Sequence, residues 1–191
     1  MSIVILFLHP NNKNDRFSSL TNHVKIAPYY EKVAVYSKKK LTIIRRSDVN
    51  YEFRTNNTTI VLRRDNFPPL LSWWQEPEDL FRYITTFNPE LIHIMGLDLP
   101  LHFRWLRKQV GDFPYILGQY TGEQIWPNIK IWMQQFGLRT ADGFLFEDKQ
   151  VADIWLKRAA ILCRQDIFKI KNLHRNPEYL AQVYALILEK K

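Results

Sequence analysis

The sequence predicts an α/β fold built on a parallel sheet, and three observations carry that expectation. Apolar runs such as Ile3 to Leu8 and Leu91 to Met95 are continuous rather than alternating, as in strands buried on both faces. Between Pro89 and Trp155 the order strand, small polar loop, helix occurs three times, which implies right-handed crossovers and a sheet covered on both sides. Helix start and stop residues recur at the matching places.

Taken in order, Ile3 to Leu8 reads as the first and central strand, followed by a polar segment from Asn11 to Asn22. The short pieces Lys32 to Tyr36, Leu41 to Arg46, Tyr51 to Arg54 and Thr59 to Arg64 then read as a β-rich region. Asn56-Asn57 is its hairpin turn, because asparagine tolerates positive φ. Phe67-Pro68-Pro69 breaks the pattern, and Trp73-Trp74 beyond it point in different directions, so one can be core while the other is partly exposed; core packing is the first reading and a stacking platform the alternative. Glu76-Pro77-Glu78-Asp79 opens a helix whose buried face is Leu80, Ile84 and Phe87, and Asn88-Pro89 stops it.

Leu91 to Met95 is a strand, Gly96-Leu97-Asp98 a turn, and Pro100 to Val110 a helix begun by Asp98 or Leu99 and ended by Gly111. The next unit runs from Tyr115 to Phe136. Pro127 starts its helix, Ile129, Trp132, Met133 and Phe136 form the face, and Gly137 ends it. In the third unit Asp148 caps a helix carrying Val151, Ile154 and Trp155. A short strand is expected around Ile167 to Ile170. The final helix has Asn176 as cap, Pro177 in its first turn and Leu180, Val183, Tyr184 and Ile187 as its apolar stripe. The expected architecture is a Rossmann-like parallel-sheet sandwich with helices on both faces, a β-rich hairpin region near the N-terminus and a terminal helix packing back.

With 191 residues and 46% hydrophobic content, the chain is expected to bury one sizeable core. The run Ile3 to Leu8 is too short for a membrane span and lacks a basic leader, so a cytoplasmic protein is expected. The lone Cys163 excludes an internal disulfide and reads as a small core side chain. A net charge of +8 draws the chain to something anionic. Lys38-Lys39-Lys40, Arg45-Arg46 and Arg63-Arg64 read first as solvated surface, then as contacts to anionic lipid heads or a charged acceptor. Nucleic acid comes last, since no glycine and aromatic pattern of an RNA-binding strand is present.

Ligands of such sheets bind beyond the carboxyl ends of the strands. Glycine-rich phosphate loops, H-E-x-x-H or paired-cysteine metal spacings and the G-x-S-x-G elbow are all absent. Neither a cofactor nor a metal is therefore expected. The remaining candidates are His9, Asn11 and Asn12 after the first strand, Gly96 and Asp98 after Met95, and Tyr120, Thr121, Gly122 and Glu123. Gly118 and Gly122 flank the last group and permit close backbone approach to a ligand. Glu123 divides evenly between solvent and site, Asp98 favours a capping role over an acidic one, and His93 favours the core over a ligand contact.

Three stretches resemble the amino-terminal domain of family 4 retaining glycosyltransferases, which have the GT-B fold. They are Pro89-Glu90-Leu91-Ile92-His93-Ile94-Met95-Gly96-Leu97, Gly118-Gln119-Tyr120-Thr121-Gly122-Glu123, and Leu138-Arg139-Thr140-Ala141-Asp142-Gly143-Phe144-Leu145-Phe146. The resemblance implies an acceptor-side domain over residues 1–156 and a tail over 157–191 whose helix packs on it. His9 to Asn14, Gly96 to Asp98 and Tyr120 to Glu123 would line the acceptor side of the cleft. It further implies that the nucleotide-sugar binds only through a separate or missing donor domain, because nothing in 157–191 matches that domain. The helix Asn176 to Ala181 is similar to the last helix of such enzymes, which crosses back onto the first domain. The sequence departs from the family at Asn11-Asn12-Lys13-Asn14, where a glycine-rich turn is usual, and at Met95 and Thr121, where polar or histidine side chains are common. Each change removes a hydrogen-bonding or acid/base group. A protein partner and peripheral contact with an anionic membrane are the further expectations. A catalytically inactive glycan- or partner-binding module of the same fold is the alternative function, and a basic nucleic-acid-binding protein the second alternative.

Overall fold

A computed structural model of the chain describes residues 2–8, 20–67, 71–72, 74–127, 130–158, 161 and 164–190. His9, Asn11, Asn12, Asn14, Trp73, Ile129 and Cys163 lie outside the described residues. Eight strands form one sheet in the order β3-β4-β2-β1-β5-β6-β7-β8. They are β1 (Ser2–Phe7), β2 (Lys40–Ser47), β3 (Tyr51–Arg54), β4 (Thr58–Arg64), β5 (Leu91–Met95), β6 (Tyr115–Gln119), β7 (Gly143–Phe146) and β8 (Asp166–Lys169). All neighbours pair in parallel except β3, which runs antiparallel to β4. β1 is central as expected, with Ile5 opposite Ile43 on one side and His93 on the other.

Because side chains alternate across a strand, each strand feeds two cores. Val4, Leu6, Ile92, Ile94, Phe144 and Phe146 pack under α2 (Glu78–Thr85), α3 (Pro100–Val110), α4 (Ile131–Leu138) and α5 (Lys149–Lys157). Ile3, Ile5, Ile43, Leu91 and Leu117 pack under α1 (Leu20–Ser37) and α6 (Pro177–Glu189), which contribute Val33, Ala34, Val183, Tyr184 and Ile187. Each large apolar side chain so buried contributes about 1.5–3 kcal/mol. The terminal helix therefore packs back onto its own sheet, and its cap is the expected one, with Asn176 Oδ1 accepting from the Glu178 N–H at 3.2 Å.

Several local readings need correction. Lys32 to Tyr36 belongs to α1, where Ala27, Tyr30, Val33 and Ala34 recur with helical spacing on the buried side. The turn at Asn56-Asn57 does join β3 to β4, but neither asparagine has positive φ. The Glu31 carboxylate on α1 holds it instead, accepting from the Asn57 backbone N–H at 3.1 Å, from Asn57 Nδ2 at 2.8 Å and from the Thr55 hydroxyl. Asp98 does not cap α3; Leu99 occupies that position without a side-chain bond. Ile154 is exposed, and Ala152 joins Trp155 on the buried face of α5.

Arg45 and Arg46, read as surface charges, are buried at the end of β2. Arg45 lies 4.7 Å over the Phe7 ring. Arg46 forms a two-pronged pair with Asp65, Nη2 to Oδ1 at 2.9 Å and Nε to Oδ2, and donates to the Leu8 carbonyl at 3.2 Å. Such pairing is what lets a guanidinium leave water.

The face of α4 is inverted. Trp132 and Phe136 are exposed, while Gln134, Gly137 and Leu138 are buried. Gly137 does not end the helix; it lets α4 meet the start of α3, where a Cβ would fall 2.1 Å from the Pro100 carbonyl oxygen. Gln134 is buried because its amide serves the preceding loop, accepting from the Trp126 N–H at 3.1 Å and donating to the Gln124 carbonyl at 3.4 Å.

On the other face, the buried His93 Nδ1 lies 2.7 Å from the Tyr184 hydroxyl, which ties α6 to the sheet. Burial pushes the His93 pKa down to about 3, outweighing the hydrogen bonding of Gln119 that favours the charged form. Burial also holds the Tyr184 hydroxyl well above its ordinary value. The contact therefore joins a neutral imidazole to a neutral hydroxyl, with one proton between Nδ1 and the Tyr184 oxygen.

Two predictions follow from this packing. Gly137→Val should destabilise the fold by about 2 kcal/mol or more in urea denaturation, as overpacking against fixed backbone does; a change below about 0.5 kcal/mol would contradict the close approach. For His93, the unfolded chain takes up a proton below about pH 6.5 while the folded chain resists until about 3. Stability should therefore fall as pH drops through that window, with about 2 kcal/mol of the loss between pH 7 and 5 due to this residue. His93→Gln should flatten the slope by that amount, and an unchanged slope would show that the ring is not held neutral.

Candidate functional site

The carboxyl ends of β5 and β6 lie side by side, and their loops leave the sheet together. The Gly96 N–H donates to the Gln119 carbonyl at 3.0 Å and the Tyr120 N–H to the Leu145 carbonyl at 3.0 Å, so the ladder continues to the first loop residues. β1 ends beside β5. The strand order reverses at this point, which is where open α/β sheets leave a crevice.

Gly96 sits at φ +101°, in a region that side chains rarely adopt. A Cβ there would lie 3.0 Å from Asp98 Oδ1, 3.3 Å from Glu123 Oε1 and 3.9 Å from Thr121 Oγ1. The absence of a side chain thus opens the small space on which two carboxylates and a hydroxyl converge. Gly122, at φ +111°, closes the turn of the second loop, and a Cβ at that position would meet nothing within 4 Å.

Glu123 is organised by its own loop. Its Oε2 accepts from the Thr121 N–H at 2.8 Å and its Oε1 from the Thr121 hydroxyl. Burial raises its pKa above the ordinary 4.5, the Thr121 bonds oppose that rise, and the charge of Asp98 adds to it. A carboxyl of this kind can accept from, or exchange a proton with, a hydroxyl placed beside it. Tyr120 packs away from this space, stacked on Phe146 with centroids 5.7 Å apart and edge-on to Trp155 at 5.9 Å. Its hydroxyl is nevertheless held protonated, first by burial and then by Glu123 and Asp148.

The structure therefore brings together Gly96, Asp98, Thr121 and Glu123, with Gly122 and Tyr120 shaping the same loop. His93 is a core residue. Gln119, at the end of β6, was not singled out from sequence; its amide is buried on the face that carries His93, and only three-dimensional proximity to that ring shows its role. Trp74 is 62% exposed. An open groove of about 650 Å³ lies elsewhere, between the end of β4 and α2. It contains Arg63 stacked 4.6 Å over Tyr83 and Arg82 paired with Glu78 at 2.7 Å, so much of its charge is already compensated. Among the described residues no group of three His, Cys, Asp or Glu side chains is placed to hold a metal ion.

Neither a protein-family model nor a curated protein sequence matches the chain. Among solved structures, the chain is similar to a piece of sucrose-phosphate synthase from Thermosynechococcus elongatus, with a TM-score of 0.63 and 14% identity. The likeness covers 100% of this chain and 98% of that one. At this identity it is the fold alone that is shared, a Rossmann-like α/β sheet.

The raised pKa of Glu123 has a direct check. In a carbon-detected NMR titration its side-chain carboxyl should show a midpoint above 4.5, and Asp98→Asn should lower that midpoint by removing a like charge. A midpoint at or below 4.5, or one indifferent to Asp98→Asn, would show that the two carboxylates do not share the space.

Proposed function

We propose that this chain is the acceptor-binding half of a retaining glycosyltransferase of the GT-B architecture, completed by a separate donor-binding chain or domain. The observation that carries the reading is the convergence of Asp98 and Glu123 on Gly96 at the carboxyl end of the sheet, where the resemblance to family 4 enzymes puts the acceptor. Paired carboxylates backed by a glycine suit a sugar: they accept hydrogen bonds from hydroxyls, and the missing side chain admits the ring. In the assembled enzyme the acceptor hydroxyl would attack the anomeric carbon on the same face from which the nucleoside diphosphate leaves, which retains the configuration, and the hydroxyl proton would pass to a nearby carboxylate.

Residues 1–156 of this chain correspond to an acceptor-side domain, and the tail 157–191 supplies the helix that crosses back, here α6 on α1 and the sheet. By the same resemblance His9, Asn11 and Asn12, which follow β1 in the sequence, are further acceptor-side candidates. One observation favours a second reading, an inactive glycan-binding module: both oxygens of Glu123 are already engaged by Thr121.

Isothermal calorimetry against a panel of nucleotide-sugars and nucleoside diphosphates tests the division of labour. The chain alone should give no binding heat, and donor affinity should appear only with a partner recovered by pull-down. Micromolar binding of a nucleotide-sugar to the isolated chain would overturn the acceptor-half reading.

A further inference from the structure

The inverted face of α4 leaves two aromatic side chains in water. Trp132 is 60% and Phe136 37% exposed, and they stand one turn apart, so they form a single stripe. On the neighbouring α3, Arg104 and Lys108 are exposed with the same spacing, and the Arg104 guanidinium lies 4.3 Å over the Phe136 ring. A cationic row therefore borders an aromatic row. The sequence of α3, PLHFRWLRKQV, and that of α4, IWMQQFGL, contain no carboxylate. The residues flanking α4, Lys130 and Arg139, are exposed cations as well.

Ordinary surface helices mix charges of both signs and bury their aromatics. α3 does bury Phe103, but neither helix carries a carboxylate and α4 leaves both of its aromatics in water, which is the composition of an interfacial element: rings that sit at headgroup depth, with lysine and arginine reaching the phosphates around them. A guanidinium stacked on a ring keeps its edge donors free for phosphate oxygens. No helix among the described residues is long and apolar enough to cross a membrane, so such contact would be peripheral.

We infer that the α3–α4 face is a docking surface for an anionic lipid bilayer, with Trp132 and Phe136 entering the headgroup layer and Arg104 and Lys108 binding lipid phosphates. The inference stands on this face alone and does not depend on the glycosyl-transfer reading. α4 follows the loop that carries Glu123, so docking would hold the carboxyl-end site next to the membrane surface.

Co-sedimentation with vesicles tests it, using phosphatidylcholine alone and phosphatidylcholine with about one-third phosphatidylglycerol. The chain should bind the anionic vesicles and bind the neutral ones far more weakly. Arg104→Gln with Lys108→Gln should weaken binding roughly 25-fold, at about fivefold for each basic residue removed. Trp132→Ser with Phe136→Ser should abolish sedimentation while leaving the circular dichroism unchanged, because both side chains are outside the core. Failure of the wild-type chain to bind anionic vesicles would overturn the inference, as would binding that both double variants retain. A concentration-dependent dimer in analytical ultracentrifugation that the aromatic double variant loses would assign the face to a second copy of this chain and overturn it too.

Discussion

A parallel sheet has no face that can be left to water, and the rest of this structure depends on that constraint. β1 is flanked by parallel partners on both sides and buried above and below, so its apolar run requires helices on each face. One face is covered by the crossover helices α2 to α5. On the other, among the described residues, α1 connects β1 to β2 and α6 covers the remainder. The stripe of Leu180, Val183, Tyr184 and Ile187 does this, and the Tyr184–His93 bond fixes where α6 sits.

The same constraint shapes the polar groups. Arg46 can be buried because Asp65 and the Leu8 carbonyl receive its donors, and His93 because it stays neutral between Tyr184 and Gln119. These contacts lie at or near the carboxyl ends of the central strands. They rigidify the platform from which the loops of Gly96 and Glu123 project, and a site held by rigid strands keeps its geometry better than one made of loops alone.

Much of this was legible in the sequence. Continuous apolar runs gave the strands, and Pro and Gly punctuation gave the bounds of α2, α3 and α6 closely. What failed did so for identifiable reasons. α1 was missed because Pro28 and a polar approach obscure the spacing of Ala27, Tyr30, Val33 and Ala34. The face of α4 was misread because hydrophobicity points to Trp132 and Phe136, whereas the helix is seated by a glycine pressed on Pro100 and a glutamine bound to loop backbone. Arg45-Arg46 looked like surface because their partners, Phe7 and Asp65, are distant in sequence. At the candidate site, residue types at strand ends were enough to nominate Asp98 and Glu123 as candidates. Their convergence on Gly96 was not legible, because it depends on the pairing of β5 with β6 and on a positive φ.

The central claim, that the carboxyl-end loops hold an acceptor sugar, is tested most directly by amide chemical-shift mapping of the labelled chain against a panel of mono- and disaccharides. Perturbations centred on Gly96, Thr121, Gly122 and Glu123 are the expected result. Perturbations clustered instead in the groove of Arg63 and Tyr83, or none across the panel, would contradict it.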